Sequence, residues 1–407
     1  MYFLIFFIPP VFLLIISQFV DDKFSKLFLI FIFVFCWGVT FPFSNDKLDA
    51  YYYMKSLEGF RELSFSDFYN FHIRNYLATE QTLDIYYPIT SFILAKLNAS
   101  GQIQFTFYLL VMFFLQVKTY LLLKQNTVNS KYLYFVFVLL FLLSMPLVNV
   151  STVRFFTAAW LFVVGTIGYC INQKKRYIVI LFLTPLCHFS FIGVFLLPIV
   201  VLNYIRLHQR SMIVALFVAF ILGVSHQVII EGFSFLFSDF GIGMKMARYT
   251  NEEYMREVQI NNSEQNIIKI LASTLWFYST ALSFFVISCH ANIYQHNKLT
   301  YNLWLITGVM LIVSLLTINI TSLARFSDVF TVLFFCYIAI GFSKNDLVEL
   351  SQPLYKVIAM FILIVALFRA IFVLRLGLDV LGYQILLPVP LILIEDNFSL
   401  LCLVKGC

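Results

Sequence analysis

Arg154, Arg248, Arg325, His188, Asp49 and Asp84 are the ionisable residues whose types and places could do chemistry in this chain. Arg154 follows an apolar run in NVSTVRFF, and Arg325 opens another in SLARF. Arg248 sits in MARY, between the two. A planar guanidinium makes bidentate contacts to phosphate oxygens, and a dry site strengthens them. The plainer alternative for each is an arginine that snorkels or pairs in a loop. His188 lies in LCHFS, deep in an apolar stretch, where it is either a satisfied core residue or a general base or donor toward a phosphate. Asp49 in LDAYYY and Asp84 in LDIYYP stand beside tyrosines, among them Tyr53. A carboxylate beside aromatic rings accepts from sugar hydroxyls and can deprotonate one; it can equally be a solvated or capping group.

The elements that must position these residues are membrane helices. The 407 residues are 61% hydrophobic and 12% charged, with 49 Phe. Soluble domains are about 45–50% apolar and about 25% charged. Only lipid can face that much apolar surface. The net charge of +6 is spread singly and in short clusters between apolar runs, as positive-inside anchors are, so no nucleic-acid partner is expected. The seven Cys form no C-x-x-C pair and read as small buried hydrophobes. Walker A, zinc-protease and nucleophile-elbow motifs are missing, and no histidine has metal-ligand spacing, so neither a metal nor another cofactor is expected.

Apolar runs of spanning length occur near 2–20, 27–43, 103–123, 131–149, 155–171, 211–230, 267–289, 301–320, 326–342 and 356–375. The first lacks the basic start of a secretory signal and is expected to be a retained span. The region 177–205 is flanked by basic residues at both ends and interrupted by Pro185 and Pro198. It reads as a broken hairpin with His188 near its tip, its first arm being about 16 Å long and too short to cross. The stretch 85–98 reads as re-entrant or interfacial, and 383–404 is left unassigned. The expectation is thus an all-α polytopic protein, a single membrane domain over 1–407 with about 11–13 segments, some broken or re-entrant. Basic short loops on the cytoplasmic side put the longer loops 44–84 and 231–266 outside, with 150–154 and 320–325.

From Asn149 to Val201 the sequence reads NVSTVRFFTAAWLFVVG, then NQKKR, then LTPLCHFSFIGV. It closely resembles the Wzy-type repeat-unit polymerases of bacterial O-antigen and capsule loci, in their EpsG-like branch. LDAYYY and LDIYYPI look like that family's two Asp-Tyr motifs, and the resemblance covers roughly residues 40–205. Beyond it only the MARY and ARF fragments look similar. The resemblance implies a glycosyltransferase of the bacterial inner membrane whose active site faces the periplasm. Its substrate is an oligosaccharide on undecaprenyl diphosphate, and a chain-length regulator protein is a possible partner. The growing glycan passes to the non-reducing sugar of an incoming unit. In that reaction Arg154, Arg325 and Arg248 are expected to hold the diphosphate. Asp49 and His188 are expected to activate and position the acceptor, and Asp84 and Tyr53 to contact sugar. The competing readings are a flippase of the lipid-linked unit, a membrane acyltransferase and a ligase. A flippase calls for repeat symmetry between halves, which the sequence lacks.

Overall fold

The computed structural model of the chain describes residues 8–17, 20, 22–43, 49–74, 84–127, 140–224, 267–291, 296–320, 323–344, 347, 353–387 and 399. The protein is all-α and polytopic. A short helix, α1 (Pro10–Ile16), precedes α2 (Lys23–Val39). Then come α3 (Asp49–Glu62), α4 (Tyr86–Lys96) and the long α5 (Gly101–Lys124). The middle of the chain forms α6 (Val153–Asn172), α7 (Lys175–Cys187), α8 (Leu197–Tyr204) and α9 (Gln209–Val224). The last part holds α10 (Ile267–His290), α11 (Lys298–Thr317), α12 (Phe326–Ser343) and α13 (Pro353–Val380).

Among the described residues five helices are long and apolar enough to cross a membrane: α5, α6, α11, α12 and Ala359–Leu378 within α13. They differ in what they face. The apolar stretches of α6 and α12 are 83% and 78% buried, so both lie inside the bundle. That of α13 is only 28% buried, and Met360, Ile364, Leu367, Ile371 and Leu374 turn outward, as a lipid-facing helix requires.

The seam between α6 and α7 fixes the site. Gly165 and Gly168 leave room for Leu181 and for the Tyr177 ring, and a Cβ at either glycine would collide with them. Small residues let two membrane helices approach this closely. The region after α6, from α7 to α8, folds back on itself. Its start packs at the C-terminal end of α6, where Asn172 Nδ2 donates to the Tyr177 hydroxyl at 3.4 Å. Its far end returns there, with Asn203 Nδ2 donating to the Tyr169 hydroxyl at 2.9 Å. Between them His188 reaches the other end of α6 and packs on Phe155, ring centroids 5.4 Å apart. The expected broken hairpin is therefore present, with His188 at its tip.

Three segments depart from the sequence expectation. The span placed at 27–43 starts earlier, at Lys23, because the Asp22 carboxylate caps the Ser25 N–H at 2.7 Å. The span placed at 131–149 has no continuous helix at its end: Pro146 precedes a 3-10 turn, Leu147–Thr152, which runs straight into α6. Residues 150–154 are thus a helical entry, not a loop. The region 44–84 is also more than a loop. It contains α3, a single turn at Phe65–Phe68 and a π-turn at Tyr69–Arg74. With α4 these form a lobe with its own small core of Leu57, Phe60, Phe68, Phe92 and Ala95. The 11 residues of α4 give about 16 Å of helix, too short to cross. The loop placed at 231–266, and Arg248 within it, lie outside the described residues.

Candidate functional site

The site is built where the hairpin tip meets the start of α6. Pro185 cannot donate to the Leu181 carbonyl inside α7, and the Thr184 hydroxyl takes that acceptor instead at 2.7 Å. The helix ends two residues later, and the exposed backbone groups are claimed by the segment before α4. Ile85 N–H donates to the Leu186 carbonyl at 3.0 Å. Phe189 N–H donates to Asp84 Oδ1 at 2.9 Å. Two chain segments about 100 residues apart are thereby zipped together, and buried backbone groups find partners.

Asp84 turns its other oxygen to Arg154. Nη1 of Arg154 donates to Asp84 Oδ2 at 2.8 Å, and Nε donates to the Tyr53 hydroxyl at 3.0 Å. The Asp84 side chain is 5% exposed, whereas that of Arg154 is 42% exposed. Arg154 is therefore oriented from behind by a buried carboxylate and a phenol while its remaining face stays open. Tyr53 accepts from Arg154, which leaves its hydroxyl hydrogen to be donated elsewhere. Burial pushes the Tyr53 phenol up to about 12, opposed by Arg154 and reinforced by Asp49, so it stays a donor at neutral pH. Tyr53 is itself held by Tyr87, whose ring lies 4.5 Å away and whose hydroxyl bonds to Ser56 Oγ. Asp49, one turn before Tyr53 on α3, is exposed and close enough for its charge to be felt by both Tyr53 and Arg154.

His188 closes the floor. Its Nδ1 lies 2.8 Å from Ser190 Oγ and accepts from Ser190 N–H at 3.3 Å. A ring nitrogen that accepts a backbone N–H carries no proton, which assigns the neutral ring's hydrogen to Nε2. In this arrangement His188 offers a donor rather than a base.

Phe155 joins this cluster to the second arginine. The Arg325 guanidinium lies 5.7 Å from the Phe155 ring centroid, and Phe326 packs on the same ring at 5.8 Å. Arg325 stands at the N-cap of α12 and makes no ion pair among the described residues. The structure thus gathers Tyr53, Asp84, Arg154, His188 and Arg325, with Asp49 at the edge. Positions separated by up to 276 residues of chain converge. Among the described residues no three His, Cys, Asp or Glu side chains gather as metal ligands would.

Sequence reasoning missed Phe155 as the shared neighbour, Ser190 as the partner of His188, and the Phe189 N–H. It also missed Asp328 and Arg369, an ion pair at 3.4 Å between α12 and α13. Both stand inside apolar runs, so the rarity of ionisable groups at membrane depth could have found them. No protein-family model, curated protein or solved structure matches the chain.

Proposed function

We propose that this protein is a repeat-unit polymerase of the bacterial inner membrane, acting on the periplasmic side on oligosaccharides carried by undecaprenyl diphosphate. The observation that carries the reading is the half-open Arg154, braced by buried Asp84 and Tyr53, with Arg325, which makes no ion pair among the described residues, sharing its Phe155 neighbour. Such a pair suits a diphosphate at the mouth of a membrane bundle, where one lipid tail and one polar head must be held together. The flanking tyrosines and Asp49 suit sugar.

The reaction follows from those roles. A hydroxyl of the acceptor's non-reducing sugar attacks the anomeric carbon of the donor glycan. The bond from that carbon to the diphosphate oxygen breaks, and undecaprenyl diphosphate leaves with the bonding electrons. The hydroxyl proton passes to Asp49, the exposed carboxylate, rather than to His188, whose Nδ1 is occupied by Ser190. His188 instead donates through Nε2, and the two arginines stabilise charge as it gathers on the departing diphosphate. Arg248 joins as a third cation in this proposal. A chain-length regulator is the expected protein partner.

The test is glycan length in a strain lacking the gene, complemented with wild type or with Arg154→Ala at matched membrane expression. Wild type should restore a ladder, and Arg154→Ala should collapse it to a single repeat unit, a loss of roughly 3 kcal/mol of transition-state stabilisation. A ladder that persists without the gene overturns the proposal. Loss of the single-unit band as well would favour the flippase or the ligase.

A further inference from the structure

Both arginine-bearing turns are tied to one buried side chain that the proposed reaction does not use. Arg369, in the middle of α13, is 6% exposed. Its Nε donates to the Leu143 carbonyl at 3.3 Å, and its Nη2 to the Ser144 carbonyl at 3.5 Å and to Asp328 Oδ1 at 3.4 Å. Gln116 of α5 donates to the next carbonyl, Met145, at 3.0 Å. Three successive carbonyls before Pro146 thus receive side-chain donors, because the chain there leaves its helix and cannot cap them itself. The turn that follows leads directly into Arg154. Asp328, the other end of the contact, lies in the first turn of α12, three residues after Arg325 and on the same face.

A buried ion pair is a poor source of stability, since the cost of desolvating both charges offsets their attraction, and an apolar pair of similar size packs as well or better. Membrane depth makes each charge dearer still. What an apolar pair lacks is direction. A guanidinium is a rigid fork that can face two carbonyls and a carboxylate at once, and lysine, a single point of charge, cannot. We propose that Arg369 is a positioning residue: with Asp328 it sets the spacing between the turn carrying Arg154 and the turn carrying Arg325. Its kinetic consequence rests on the polymerase reading above. A small misplacement of groups that bind a leaving diphosphate lowers turnover far more than ground-state affinity.

The experiment uses the purified full-length protein in lipid nanodiscs with a lipid-diphosphate-linked repeat unit. Variants are Arg369→Lys and the paired Asp328→Leu/Arg369→Met. The paired variant removes both charges of the ion pair but strips the Leu143 and Ser144 carbonyls of their donors, so it should melt somewhat below wild type while remaining folded. Its kcat should nevertheless fall about 100-fold, with KM changed less than about twofold, and Arg369→Lys should move the same way. Nitroxide labels at Val148 and Ala324, read by pulsed paramagnetic resonance, should give one narrow distance in wild type and a broadened one in both variants. Wild-type turnover and a narrow distance in Arg369→Lys, or in a folded paired variant, overturn the proposal. If wild type makes no polymer at all, the functional reading falls while the distance measurement still decides the positioning role.

Discussion

Arg154 and Arg325 occupy matching places and live in opposite circumstances. Each stands at the N-terminal end of a buried helix, Arg154 in the first turn of α6 and Arg325 at the N-cap of α12. That is the wrong end for a cation, since the helix dipole is positive there and a charge costs about 0.3–1 kcal/mol. Around Arg154 the cost is offset: Asp84 and Tyr53 fix two of its nitrogens. Around Arg325 the only described guanidinium contact is the Phe155 ring, and the nearest acid on its own helix, Asp328, is turned to Arg369. One arginine is oriented before any ligand arrives. The other makes no ion pair among the described residues and is held near the site by an aromatic face. The contrast divides the labour expected of them, direction from Arg154 and charge from Arg325.

Exchanging each arginine for lysine sharpens the contrast most. Lysine keeps the charge but cannot serve both Tyr53 and Asp84, so Arg154→Lys should cost kcat about 10²–10³-fold. Arg325→Lys should cost only a few-fold, mostly in KM. Equal losses in steady-state assays would erase the distinction. Tyr53→Phe comes next. It removes one hydrogen bond to a charged group and should cost about 1.5 kcal/mol, roughly tenfold in turnover, without moving the melting temperature much. An unchanged rate would show that Asp84 alone orients Arg154.

The smallest effect concerns the lobe that supplies Tyr53. His72 lies between the Phe60 and Phe68 rings, at 5.4 and 5.3 Å, and its buried Nδ1 has no partner among the described residues. Burial holds its imidazole below the usual 6.5. The unfolded lobe therefore takes up the proton first. Stability from this group is fully present above about pH 6.5 and is lost as pH falls through the lower folded value. Hydrogen-exchange protection across 57–74, taken against the intrinsic rate at each pH, should fall in excess of the rest of the fold as pH drops from 7 to 5, and His72→Leu should remove that excess. The same excess in His72→Leu would trace it to another group.

What could be read from the sequence followed from one cost. Ionisable groups near lipid are expensive, so Arg154, Arg325 and His188 drew attention by standing at the ends or breaks of apolar runs. Pro185 and the two basic flanks gave the hairpin and its tip for the same reason, since a short arm cannot cross and an unpaired backbone cannot face lipid. Asp328 and Arg369 obeyed the rule equally and were overlooked, because each sits inside a run long enough to pass as a span. Helix ends were less legible: Asp22 moved α2 earlier, and the Pro146 turn changed a loop into the entry of α6.

Composition and hydropathy alone made this an all-α polytopic membrane protein, because apolar runs of spanning length leave the backbone no other way to satisfy its hydrogen bonds in lipid. They also supplied the residue types a polar site would need. The pairings belonged to the tertiary structure. That Asp84 would serve Arg154 on one side and the Phe189 N–H on the other depends on where two distant segments meet. So does the absence, among the described residues, of a carboxylate within ion-pair distance of Arg325. A charge declares its cost within its own few residues, but its partner is set by which helices pack together, and that is decided by side-chain fits such as Gly168 against Tyr177 across the whole bundle.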